Sequence, residues 1–289
     1  MAPEPGRTSQ QPGVDPDTDA GPSTPAPPTP TRFPQIKGEC PDLKGPGTYT
    51  FRTTGRTLSA QVSMLPKAAR SAGAPGPLIL YFHAFGTTAS EVTQALGQTA
   101  IDAVVNLGGV VVSFNSVPCL RCGIDDLVWY NEDDVVVDQA VACIRAQASI
   151  DPRHIHVAGF SAGAMHALHL SLVRSDFVAS VLSYSGGTAS SMPAVQDPKN
   201  KVPALLAFGE SGVDTVVADF NAASHDWYDT YHPRGYYFML CNHGGAHEIP
   251  AELPRFALRF FLDHPYRVDP EPYLNAPPGD YPKYCNNGP

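Results

Sequence analysis

The feature that most constrains this chain is a series of short, largely apolar runs separated by stretches of helical spacing. Pro77-Leu-Ile-Leu-Tyr-Phe-His83 offers no polar face to water along its apolar core. Such a run reads as a strand buried on both sides. Residues 110–114 form the next buried strand, and 154–158, 178–184, 203–208 and 236–241 read as four more strands. Between them, 88–107 places Val92, Leu96, Ala100, Val104 and Leu107 on one helical face and stops at Gly108-Gly109. Further helices are expected at 131–149, 161–173, 216–231 and 252–262. Residues 47–53 and 56–65 alternate loosely and pair as a hairpin ahead of the first buried strand. Alternation on this scale predicts an α/β fold, a mostly parallel central sheet with helices on both faces.

Proline marks the edges of this body. Of 30 prolines, ten fall in residues 1–34, where only Val14 and Phe33 are large apolar residues beyond Met1. Such a segment buries too little surface to offset its ordering entropy. The expected organisation is a disordered Pro-rich spacer over 1–34 and one catalytic-sized domain over 35–289. The proline-rich tail after 264 is expected to wrap the surface. The net charge of −9, without any Lys/Arg run, argues against nucleic acid as a partner. No stretch of about 18 apolar residues is present, so no transmembrane segment is expected. Nothing in the sequence calls for an obligate partner, and the expected state is a monomer.

Six cysteines stand at 40, 119, 122, 143, 241 and 285. An even number spread over the body suits disulfides, with Cys40 or Cys241 paired to Cys285 to fasten the tail. Cys119-Leu-Arg-Cys122 alone is a weak zinc signal. Met1-Ala-Pro-Glu-Pro has neither a basic nor an apolar leader region. The chain is therefore cytosolic or has lost a leader. The spacer and the cysteines together point to the second case, a secreted or surface-tethered protein.

The chemistry concentrates at Gly159-Phe-Ser161-Ala-Gly163, which lies between an expected strand and an expected helix. A G-x-S-x-G turn in that setting lifts the serine hydroxyl above the sheet, next to a helix N-terminus that favours developing negative charge. Serine needs a base, and the base an orienting acid. Asp214, in Gly209-Glu-Ser-Gly-Val-Asp214, follows one strand, with Glu210 as its competitor and a helix N-cap as its alternative role. His247, in Asn242-His243-Gly-Gly-Ala-His247, follows the last strand, with His243 as competitor. An oxyanion needs two fixed N–H donors, here Ala162 after the nucleophile and Phe85 in the loop His83-Ala-Phe-Gly86. Trp129-Tyr130 is either a stacking platform for substrate or a core plug. The run Glu132-Asp133-Asp134 resembles a metal site but reads better as a solvated, acidic helix start.

These residues resemble the α/β-hydrolase esterases of the polyhydroxybutyrate depolymerase and feruloyl/acetylxylan esterase group. Tyr81-Phe-His-Ala-Phe-Gly86 is similar to that group's His-Gly-x-Gly loop, and Asn131-Glu-Asp-Asp134 to its Asp-Asp-Val segment. Ile150-Asp-Pro-Arg-His-Ile-His-Val-Ala-Gly-Phe-Ser-Ala-Gly163 is similar to its strand-and-elbow block. Asp214-Thr-Val-Val217 and Gly245-Ala-His247 complete the set, over roughly 75–262. Ala84 stands where the group has glycine, and Phe208-Gly209 where it has His-Gly. The resemblance implies a serine esterase acting through an acyl-enzyme on polymeric, polysaccharide-linked, aryl or short-chain esters. It implies Ser161, Asp214 and His247 as the triad and no metal or organic cofactor. The connection over 185–202 is too short for a large cap domain. A serine peptidase on the same fold, or an inactive polymer- or glycan-binding module, is the alternative reading.

Overall fold

A computed structural model of the chain describes residues 1, 27–72, 74–117, 129–188 and 193–288. The spacer up to residue 26 and the pair Cys119 and Cys122 lie outside the described residues. The last part of the expected spacer, 27–34, contains no helix or strand and lies against the body. Phe33 packs on Phe177 and carries the Arg145 guanidinium 3.4 Å from its ring centroid, and Arg153 donates to the Pro28 carbonyl.

The hairpin is β1 (Gly47–Thr53) and β2 (Arg56–Ser63), antiparallel. The buried runs form β3 (Gly76–Phe82), β4 (Val110–Asn115), β5 (Ile150–Phe160), β6 (Ser180–Tyr184), β7 (Ala204–Phe208) and β8 (Phe238–Asn242). A two-residue β9 (Cys285–Asn286) closes the far edge. Among the described residues the sheet order is β1-β2-β4-β3-β5-β6-β7-β8-β9. The pairs from β4 through β8 are parallel, while β1, β2 and β9 pair antiparallel.

Period-two alternation sends successive residues to opposite cores, so β3, β6 and β7 are buried along their whole length. Leu78, Leu80 and Phe82 of β3 enter one core together with α3 (Asp134–Arg145), α4 (Ala162–Val173) and α5 (Phe220–Tyr231). Ile79 and Tyr81 enter the other, with α1 (Val92–Leu96), α2 (Gln98–Asn106) and α6 (Pro254–Asp263). Helix α4 is apolar nearly all round because it packs on β3, β5 and β6 at the centre of the sheet.

Three expectations need correction. The helix expected over 88–107 is two helices, broken where Gly97 takes φ +78°, a conformation that favours glycine. The helix expected from 216 begins at Phe220, because Asp219 caps it by accepting from the Ala222 N–H. The acidic run 132–134 opens a helix, but only Glu132 of the three is solvated. Asp133 is fully buried, pairs with Arg56 at 2.6 Å and accepts the Tyr130 N–H. Asp134 is buried beside His169, at 2.9 Å, and His166.

Cys241 and Cys285 stand opposite each other in the β8–β9 register and are bonded, which fastens the tail to the sheet. A second bridge joins Cys40 to Cys143 on α3, across 103 residues. On the chain-entropy account these loops contribute about 4 and about 5 kcal/mol respectively.

Candidate active site

Strand β5 runs directly into α4 through Ser161, whose φ of +54° and ψ of −120° are strained for a residue with a side chain. The flanking glycines are required by contact. A Cβ on Gly163 would lie 1.9 Å from the Phe82 carbonyl oxygen, and one on Gly159 would lie 2.3 Å from the Gly163 carbonyl. The turn is held from the next strand by Ser161 N–H donating to the Tyr184 carbonyl at 2.9 Å. Ala162 is the first residue of α4, so its N–H belongs to the helix end that lacks an intrahelical acceptor.

His247 comes from the loop after β8. Its Nδ1 lies 2.7 Å from Asp214 Oδ1, and its ring is sandwiched between Phe160 and Phe220, with centroids at 4.8 and 4.6 Å. Asp214 has no exposed side-chain surface. Its other oxygen accepts from the Gly209 N–H and from the Ser185 hydroxyl, both at 2.8 Å. Burial pushes the Asp214 carboxyl up, but the hydrogen bonds from His247, Gly209 and Ser185 outweigh it and hold the group below its ordinary value. The carboxylate therefore stays ionised while buried.

The competitors are placed elsewhere. Glu210 is exposed, and its backbone carbonyl accepts the Val213 and Asp214 N–H groups in the turn that delivers Asp214. The extra residues Gly212-Val213 are accommodated by φ +74° at Gly212 and by its N–H donating to Asp219. The His243 ring accepts from the Gly245 N–H and faces Tyr284, and burial holds it below its ordinary value. A Cβ on Gly209 would lie 2.1 Å from the Gly245 carbonyl, so the glycine of Phe208-Gly209 is what lets the two loops approach.

The loop after β3 is anchored from several sides. His83 is buried; its Nε2 accepts the Ser116 N–H at 3.0 Å, so its proton sits on Nδ1, which donates to the Ala84 carbonyl at 2.6 Å. Burial holds His83 below its ordinary value, consistent with a neutral ring. Trp129 donates from Nε1 to the His83 carbonyl, meets Phe82 edge-on and stacks on His166. Tyr130 lies under the Arg56 guanidinium, 5.7 Å from its ring centroid. Phe85 is half exposed at the tip of the loop.

Sequence reasoning missed Ser185 and Gly209 as supports of Asp214, and Phe160 and Phe220 as the clamp on His247. Ser185 was findable in principle as a polar residue at the carboxyl end of a buried strand. The phenylalanines carried no signal, because apolar residues beside a strand end look like core.

Residues 134–261 match the phospholipase/carboxylesterase family. NocK of Nocardia uniformis subsp. tsuyamanensis, itself assigned as an esterase only provisionally, is 28% identical over 220 residues, or 69% of this chain. The chain spans 62% of the length of that relative. Among solved structures, native pOPH superposes with a TM-score of 0.66 at 17% identity, over 87% of this chain and 97% of that one. A ferulic acid esterase gives 0.56 at 14% identity, over 74% and 96%. By fold the chain is an α/β-hydrolase, and over residues 134–261 it matches the phospholipase/carboxylesterase family.

Proposed function

We propose that this chain is a serine esterase that hydrolyses carboxylic esters through an acyl-enzyme. The observation that carries the reading is the buried, ionised Asp214 bonded to His247, whose ring stacks on the residue preceding the strained Ser161. Asp214 accepts the Nδ1–H and leaves Nε2 as the base. Ser161 Oγ loses its proton to Nε2 and bonds to the ester carbonyl carbon. The tetrahedral oxyanion takes N–H donation from Phe85 and Ala162. Collapse expels the alcohol, which receives the proton from His247. Water, deprotonated by the same imidazole, then attacks the acyl carbon, the bond to Ser161 Oγ breaks, Oγ takes the proton back from His247, and the acid is released.

The surroundings favour bulky or polymeric esters. Phe85, Val213, Val216 and Val217 are exposed apolar residues on the oxyanion and acid loops. A shallow groove of about 570 Å³, lined by the Glu91 carboxylate and by hydroxyl and amide side chains including Thr87, Thr88 and Gln94, adjoins the oxyanion loop. The Pro-rich segment ahead of residue 27 acts as a spacer, and residues 27–34 pack against the catalytic domain. The disulfides fit export into an oxidising compartment. A panel of p-nitrophenyl acetate and butyrate, methyl ferulate, acetylated xylan and an aliphatic polyester tests the reading. Hydrolysis of at least one class by the wild type, and none by Ser161→Ala, is expected. Equal turnover by the two proteins refutes it.

A further inference from the structure

The direction of an N–H donor is the direction of its peptide plane, and the plane carrying the Phe85 N–H is the Ala84–Phe85 peptide. That peptide is trans, so its N–H points away from the Ala84 carbonyl. The carbonyl accepts from His83 Nδ1 at 2.6 Å and from the Thr87 N–H at 3.2 Å. The preceding plane, His83–Ala84, is fixed at both ends. Its carbonyl accepts from Trp129, and its N–H, that of Ala84, donates to Glu91 Oε1 at 3.0 Å.

Glu91 is the residue on which these contacts converge. Oε1 also accepts from the Tyr81 hydroxyl at 2.6 Å, and Oε2 accepts from the Thr87 hydroxyl at 2.7 Å. The single Thr87 proton lies within reach of both Glu91 and the Ala84 carbonyl, at 3.0 Å. The carboxylate is the closer and stronger acceptor. Burial, and then the Glu91 charge, hold the Tyr81 phenol well above its ordinary value, so it remains a donor. One carboxylate thus ties the end of β3, the first residue of the loop's turn and the last, while α1 begins at the next residue. Nothing in the proposed chemistry uses Glu91, yet it holds three donors around a four-residue turn.

We propose that Glu91 is a positioning residue that aims the Phe85 N–H at the oxyanion. This inference rests on the serine-esterase reading above. Its effect belongs to the transition state, because the ground-state carbonyl needs the donor less than the oxyanion does.

The test compares wild type, Glu91→Ala, Glu91→Gln and Ser161→Ala on p-nitrophenyl butyrate. It includes inhibition by an alkyl trifluoromethyl ketone, which adds to the serine as a tetrahedral oxyanion. Removing an oxyanion donor outright typically costs about 10²–10³ in kcat, so a loosened donor in Glu91→Ala is expected to cost about 30-fold in kcat, with KM within twofold. The ketone Ki is expected to rise by a similar factor. A merely structural role would lower the active fraction found by titration and leave the Ki of that fraction unchanged. Glu91→Gln keeps the acceptor for Ala84 and reverses only the Thr87 bond, so it is expected to fall between wild type and Glu91→Ala. Should Glu91→Ala not fold, Glu91→Gln decides by its ketone Ki: at least threefold weaker supports the inference, and unchanged overturns it. A folded Glu91→Ala with unchanged kcat and Ki also overturns it, leaving the esterase reading intact. An inactive wild type, or an active Ser161→Ala, removes both.

Discussion

Asp214 lies under the site with no exposed side-chain surface, and each of its oxygens is matched to a donor. A buried carboxylate without such partners would protonate rather than stay charged. Its value to the site is therefore fixed less by proximity to His247 than by the Gly209 N–H and the Ser185 hydroxyl behind it. This separates it from Glu210, four residues earlier and exposed. Asp214→Asn is expected to lower kcat by about 10³–10⁴-fold, because an amide places a donor against Nδ1 and favours the wrong tautomer. Glu210→Gln should stay within about twofold. Steady-state kinetics on any hydrolysed ester ranks the two, and the reverse order would move the acid to Glu210. The sequence alone left both open, since either carboxylate follows β7 and only the turn at Gly212 decides which one points inward.

At the scale of elements, the strands were the most legible part, because a two-sided apolar run has few other uses. The helix boundaries were less so. The periodicity of 88–107 continues across Gly97, and nothing in the pattern marks the positive φ that divides it. The acidic run 132–134 looked solvated because its cationic partner, Arg56, is distant in sequence. The elbow was legible down to its glycines, and it offers a clean comparison. Gly163→Ala drives a methyl group into the backbone of β3. It is expected to cost about 3 kcal/mol or more of stability, since a rigid core must shift. Gly212→Ala meets nothing within 4 Å and bears only the strain of φ +74°, about 1 kcal/mol. Urea denaturation of the two variants checks the ranking, and equal losses would contradict the packing account of the elbow.

For the whole molecule, buried and half-buried histidines couple the fold to pH. Burial lowers His83, His154, His156, His166 and His243 below their ordinary values. His166 is pushed to about 4 by burial, against the opposing pull of Asp134, between the rings of Phe82 and Trp129 and beside His169. From about pH 6.5 downward the unfolded chain binds protons that the folded chain refuses, so stability falls with pH until the native groups titrate as well. At pH 4.5, His166 alone accounts for about 2 kcal/mol of that loss. His166→Phe is expected to lose less stability than wild type between pH 7 and 4.5, by about that amount, and parallel losses would contradict it. The same whole-molecule frame brings residues from β5, the β7 loop and the β8 loop to one end of the sheet, and the account depends on Ser161 being the nucleophile there. The most direct measurement is labelling by a fluorophosphonate followed by peptide mapping. One equivalent of adduct, located on Ser161 and matched by loss of ester hydrolysis, is the predicted result. Inactivation with the adduct on another residue, or full hydrolysis by a protein labelled stoichiometrically at Ser161, would contradict it.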